Sequence, residues 1–217
     1  MKSDRNGASW PSRLLRFVLW GVLLVTAGYA LMVALGMYLG AGAREVRHSG
    51  EADIRSAFAL TDHTGRTVTE ADYADRWQLA FFGFTHCPDV CPTTLAYMAS
   101  VLDRLGDHAD EVVPLFITVD PTRDTVPVMA EYVSVFHPRL VGLTGTEAQV
   151  AAAARNFRTW YERSEDPSAP DGYVMAHAGH VYLMRPGGAF EGVYQESDQT
   201  PEALAGEIAD KIQNGSR

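Results

Sequence analysis

The sequence predicts an α/β domain carried behind a single N-terminal transmembrane helix. Three features lead to that expectation: a long charge-free apolar stretch near the start, two compact apolar runs of strand length further on, and helix-spaced apolar patterns between and after them. With 217 residues, 47% of them apolar, the chain can bury one full core and still hold a small appendage.

Residues 1–16 hold Lys2, Arg5, Arg13 and Arg16 against Asp4 and read as a cytoplasmic segment. Residues 17–39, FVLWGVLLVTAGYALMVALGMYL, carry no charge, and at about 1.5 Å per residue they cross a hydrocarbon core of about 30 Å. Two other readings compete. A buried helix rarely runs this long without a polar face. A signal peptide cleaved at the Ala41/Ala43 pair has an apolar region of only about 7 to 15 residues. Beyond the span, Arg44, Arg47 and Arg55 are interleaved with Glu45, Glu51 and Asp53, so the positive-inside count favours a cytoplasmic N-terminus by a small margin. That orientation puts the large domain outside the cytoplasm, which in a bacterium is the periplasmic side of the inner membrane. Residues 40–56, rich in Gly, Ala and charge, read as a tether, and residues 57–217 as the folded domain.

Charge narrows the partners. Five basic residues against Asp4 give Met1 to Arg44 a net +4, so the remainder carries −13 of the overall −9. A domain that acidic repels phosphate backbones, and with no basic stripe in the sequence nucleic acid is not an expected partner.

Within the domain, FALTDHTGRTVTE from Phe58 reads as a hairpin around a His-Thr-Gly turn. Gln78 to Phe84, QLAFFGF, is apolar on both faces and fits a central strand; Val112 to Val119, VVPLFITV, fits a second. A helix over Thr93 to Leu105 is marked by Leu95, Met98, Leu102 and Leu105, with Pro92 suited to its first turn. Further helices are expected over Val126 to Phe136, over Thr146 to Asn156 behind a Thr cap, and over Pro201 to Asn214. Leu140 to Leu143 and Thr159 to Arg163 read as extended, Ser164 to Gly172 as a loop, and His180 to Met184 with Phe190 to Tyr194 as a hairpin about Pro186-Gly187-Gly188. A central strand leading into a cysteine pair at a helix start, followed by β-α-β and a late hairpin with a closing helix, is the layout of a thioredoxin-like domain.

The two cysteines, Cys87 and Cys91, are too few for a disulfide scaffold, and so close a pair reads as a redox or metal site. At a helix N-terminus the dipole and unpaired backbone donors favour thiolate, which is both nucleophile and metal ligand. Soft thiolates select Cu(I) or Zn, and one added imidazole makes a trigonal Cys2His site suited to copper. His177 and His180, in MAHAGHVYLM, are the candidates for that imidazole. Asp89 either tunes the thiolates or faces a partner, or is a turn residue bonded to its own backbone. The Tyr and Trp residues, such as Trp77, Trp160 and Tyr161, read as core or rim packing.

FFGFTHCPDVCPTTL, LFITVDPTRDT, LVGLTGT and H-x4-YL followed by Pro-Gly resemble the Sco/SenC family of copper proteins, and the resemblance runs from about Phe58 to the C-terminus. It implies a thioredoxin fold, copper as Cu(I) or Cu(II), and a part in the assembly of cytochrome c oxidase: delivering copper to the CuA site of subunit II, or reducing the cysteines of that site. Other copper chaperones join subunit II among the implied partners. Matched residue by residue, Cys87, Cys91 and His177 fall on the family's metal ligands, His177 because its spacing ends at Tyr182-Leu183, whereas His180 is three residues out of register. The residue before the ligand histidine is often acidic in the family and is Ala176 here, which puts an orienting carboxylate in doubt. Asp120, Arg123 and Asp124 also match a family motif; they either shape the loop beside the site or form an ordinary solvated turn.

Overall fold

The computed structural model describes residues 10–40, 54–169 and 171–215. Residues 1–9 of the expected cytoplasmic segment and 41–53 of the expected tether lie outside them. The chain divides into two units, Met1–Gly50 and Glu51–Arg217.

In the first unit helix α1, Trp10–Gly40, begins seven residues before the expected span and takes in residues 10–16. Its stretch Leu15–Met32 is long and apolar enough to cross a membrane, and its side chains are exposed along the whole of that stretch.

The second unit is built on a seven-stranded sheet in the order β2-β1-β5-β4-β3-β8-β9. The strands are β1 (Ala59–Asp62), β2 (Thr67–Thr69), β3 (Trp77–Gly83), β4 (Val112–Thr118), β5 (Val141–Thr144), β8 (Val181–Met184) and β9 (Phe190–Tyr194). β4 runs parallel to β3 and β5, while β8 and β9 are added antiparallel on the other side of β3. Helices α2 (Val90–Arg104), α3 (Val126–Ser134), α4 (Glu147–Asn156) and α5 (Pro201–Gly215) connect and cover it. α2 packs with α5, α3 against β5 and α4 against β1. Ile54, Arg55 and Ser56, assigned to the tether by the sequence, belong to this unit: Arg55 bridges Ala189, and Ser56 is buried with its hydroxyl on Gln78.

Every residue of β3 and β4 is buried, which is why both read as unbroken apolar runs. Alternation sends Phe81 to one face, stacked on Phe116, and Phe82 to the other, edge-on to Phe157 and Tyr182. α4 opens with the expected Thr146, closed into a capping box by Gln149.

Two strands stand apart from the main sheet. β6 (Tyr161–Glu165) pairs antiparallel with β7 (Tyr173–His177), a strand the sequence does not announce. The strand expected from His180 starts at Val181 instead: His177 ends β7, and His180 lies in the link to β8.

The ends of β3, β4 and β5 meet at Asp124, whose side chain is 0% exposed. Its carboxylate accepts from the Thr85 backbone N–H at 3.0 Å, the Thr85 hydroxyl at 2.6 Å and the Thr118 hydroxyl at 2.6 Å, while its carbonyl accepts from Thr144 at 2.7 Å. Burial raises its pKa and the Thr118 and Thr85 hydrogen bonds oppose that rise. The residue is thus a buried clasp, not a solvated turn. Asp124→Ala orphans these buried donors and should cost on the order of 3 kcal/mol or more in urea denaturation, with a lowered midpoint at unchanged slope.

Candidate metal centre

The sequence between β3 and α2 places the two sulfurs differently. Cys87 sits in the loop after β3 and is half-buried; Cys91 lies in the first turn of α2 and is fully buried. Backbone geometry ties them together, because the Cys91 N–H donates to Cys87 Sγ at 3.4 Å. The Cys91 thiol donates to Cys87 and is the main cause holding the Cys87 thiol down to about 3; burial opposes this, while His177 and the backbone N–H groups of Asp89 and Cys91 add to it. The same hydrogen bond, then burial, pushes Cys91 far up. The resting pair is accordingly one thiolate, on Cys87, and one thiol, on Cys91.

The third donor arrives from β7. His177 Nε2 stands 3.2 Å from Cys91 Sγ, and Nδ1 is 3.0 Å from the Ala178 carbonyl oxygen. A carbonyl only accepts, so Nδ1 carries a proton and Nε2 is the ring nitrogen turned to the sulfurs. With Ala176 in place of an acidic residue, a backbone carbonyl does the orienting. Phe81 and Phe84 hold the ring edge-on at 5.8 and 5.7 Å. The ligand atoms of Cys87, Cys91 and His177 all lie within 4.8 Å of one another, a group that could hold a metal ion.

β7 is held over the sulfurs by a second buried carboxylate. Asp120 is 3% exposed, pairs with Arg123 and accepts from the Tyr173 hydroxyl at 3.0 Å. The Tyr173 ring is flanked by two guanidinium groups, Arg123 at 4.2 Å and Arg163 at 3.8 Å from its centre. Asp120 and Arg123 thus position the strand that bears His177, rather than forming a solvated turn.

The other sequence candidates fall away from the donor set. His180 packs edge-on to Tyr182 and is absent from it. The Asp89 side chain is exposed and makes no cap hydrogen bond; only its backbone reaches the pair. Trp77 is buried, whereas Trp160 is 55% exposed.

The SCO1/SenC family model matches residues 46–213. This chain belongs to the SCO1/SenC family. Among its relatives, the mitochondrial SCO2 homolog of Mus musculus is 44% identical over 157 residues, covering 70% of this chain and 61% of that protein. The chain spans 53% of the Bos taurus homolog. The Arabidopsis thaliana ScoI structure with copper bound matches with a TM-score of 0.68 at 36% identity, over 74% of this chain and 99% of that one. The Bradyrhizobium japonicum ScoI structure, also with copper bound, gives 0.67 at 39% identity, over 72% and 98%. A remoter structure, BsSco, described as having a disulfide switch and as a member of the Sco family of cytochrome c oxidase assembly proteins, shares the fold at 20% identity and a TM-score of 0.56. The thioredoxin-like α/β fold expected from the sequence is the fold of these Sco proteins.

Gly83 is a site residue the sequence reading passed over. A Cβ there would lie 2.7 Å from Cys91 Sγ and 2.9 Å from Phe116, so the sulfur occupies the place of a side chain. The only available signal was a glycine inside an otherwise apolar strand. Gly83→Ala should displace Cys91 Sγ and weaken metal binding by about tenfold or more while circular dichroism stays that of the folded domain. The charge asymmetry of the pair predicts a titration: thiolate absorbance worth one cysteine persists from neutral pH down to about pH 4, falls to half near pH 3 and is lost below it, whereas a thiol with an ordinary pKa of about 8.5 would already be silent at pH 6.

Proposed function

We propose that this Sco protein is a membrane-tethered copper carrier that binds one copper ion through Cys87, Cys91 and His177 and delivers it to the CuA site of cytochrome c oxidase subunit II. The observation that carries the proposal is the convergence of two sulfurs and one imidazole nitrogen within 4.8 Å. Copper-bound structures of ScoI from two organisms, at 36% and 39% identity, supply the metal, and the family's description as oxidase assembly proteins supplies the setting. Helix α1 is the anchor in this reading, with the domain on the periplasmic side of a bacterial inner membrane, where a tether raises its local concentration at a target in the same membrane.

The ion is cargo, and the residues divide its handling. Cys87 offers a ready thiolate; Cys91 must give up its proton, so loading from the resting pair releases one proton. His177 meets the ion through Nε2 with its tautomer already set.

A second reading is favoured by the unequal exposure of the two cysteines. In it, the half-exposed Cys87 thiolate attacks a target disulfide and the buried Cys91 resolves the mixed disulfide, so two electrons pass from the dithiol to the CuA-site cysteines. That chemistry does not need His177.

Copper titration of the reduced full chain in detergent, beside Cys87→Ser, Cys91→Ser and His177→Ala, separates the two. The carrier binds one equivalent, and each variant loses affinity by about tenfold or more. Binding indistinguishable from the three variants rejects the carrier; in that case, disulfide reduction surviving in His177→Ala identifies the reductant.

A further inference from the structure

The cleft beside the site, about 490 Å³, is lined by Cys87 and His177 and by one more residue that carries a soft donor, Met175. In β7 the buried and half-buried positions are Tyr173, Met175 and His177, alternating with exposed Val174 and Ala176. Alternation therefore puts Met175 on the same face as the imidazole, one pleat back along the strand. The Asp120–Tyr173 hydrogen bond fixes that face at its far end and the Ala178 carbonyl fixes the ring at the near end, so Met175 is the residue between two anchored neighbours. Its side chain also lines the small adjoining cavity with Tyr161 and Arg163, and so forms the wall between the two spaces.

Filling a wall is what a leucine would do as well. A thioether adds an uncharged, polarisable sulfur, a donor that prefers Cu(I) to Cu(II) and binds it weakly enough to be exchanged. Among the described residues lining the cleft, the remaining side chains offer hard oxygen donors, as in Glu196 and Thr94, or none. The three-donor group leaves room for a further ligand on the side that faces the cleft.

We propose that Met175 is a fourth, soft ligand that this chain brings to Cu(I) at the mouth of the site, giving a sulfur-rich state for the reduced ion from which it is handed on. The proposal rests on the copper-carrier reading of the same site. The thioether is neutral at every pH, so it adds no charge to the complex and releases no proton on binding.

The test is Met175→Leu, which keeps volume and apolar packing and removes only the sulfur. Full-length protein in detergent is loaded separately with Cu(I), competed against a colorimetric Cu(I) chelator, and with Cu(II), followed by its thiolate-to-metal absorption. X-ray absorption counts the sulfur neighbours of Cu(I). The expected result is a loss of Cu(I) affinity of about tenfold, faster transfer of Cu(I) to the chelator, Cu(II) binding unchanged within about twofold, and a fall from three sulfur neighbours to two. Equal Cu(I) affinity and sulfur count in the two proteins, or equal losses for both oxidation states, overturns the role of Met175 and leaves the carrier standing. Absence of copper binding in the unsubstituted chain overturns both.

Discussion

A single buried carboxylate organises the end of the sheet on which everything functional stands. Asp124 collects the loop after β3, the end of β4 and the end of β5 through four hydrogen bonds. Burying an ionised group is costly unless its lone pairs are satisfied, and here they are, by three donors from two threonines. The loop it holds leads directly to Cys87, two residues past Thr85. That clasp and the Cys91 N–H on Cys87 Sγ together fix the first sulfur relative to the second, which is set by α2. Asp120, four residues earlier, plays the corresponding part for the imidazole through Tyr173. Two aspartates on one short loop thus place two candidate ligands, Cys87 and His177, that lie far apart in the chain.

Electrostatics at the site follow from the same placement. Between two neighbouring sulfurs only one negative charge settles, because the second thiol stabilises the first as a hydrogen-bond donor while burial penalises a second anion. The half-exposed sulfur holds the charge and the buried one the proton. The domain's strong negative charge suits a cationic cargo and a positively charged docking surface.

Much of this was legible in the chain because of specific physical signatures. β3 and β4 were readable because a strand buried on both faces must be apolar throughout, and α4 because Thr146 and Gln149 sit at capping-box spacing. β7 was not readable: it belongs to a two-stranded ribbon whose partner, Tyr-Glu-Arg-Ser-Glu, is largely exposed and carries no hydrophobic period. Asp120 and Asp124 were ambiguous because a polar Asp-Pro-Thr-Arg-Asp-Thr run looks the same whether it is solvated or turned inward. The cysteine pair identified itself by spacing; His177 was separable from His180 only through a family resemblance. Gly83 gave only the weak signal of a glycine in an apolar strand, and Met175 gave none, since what matters at both is what approaches them across the fold.

The ribbon of β6 and β7 has its own sheet, hydrogen-bonded within itself and joined to the core chiefly by inward side chains such as Tyr173, Met175 and His177. Mechanically, it is a leaf laid against the domain. The sulfurs ride on the rigid body of the domain, and the imidazole rides on the leaf, latched by one phenol between two guanidinium groups. Parting the nitrogen from the sulfurs means opening that latch and drawing the ring away from Phe81 and Phe84, while the anchors of the sulfurs, Asp124 and α2, belong to the body of the domain. Any displacement of the leaf would carry the imidazole with it and leave both sulfurs where they are.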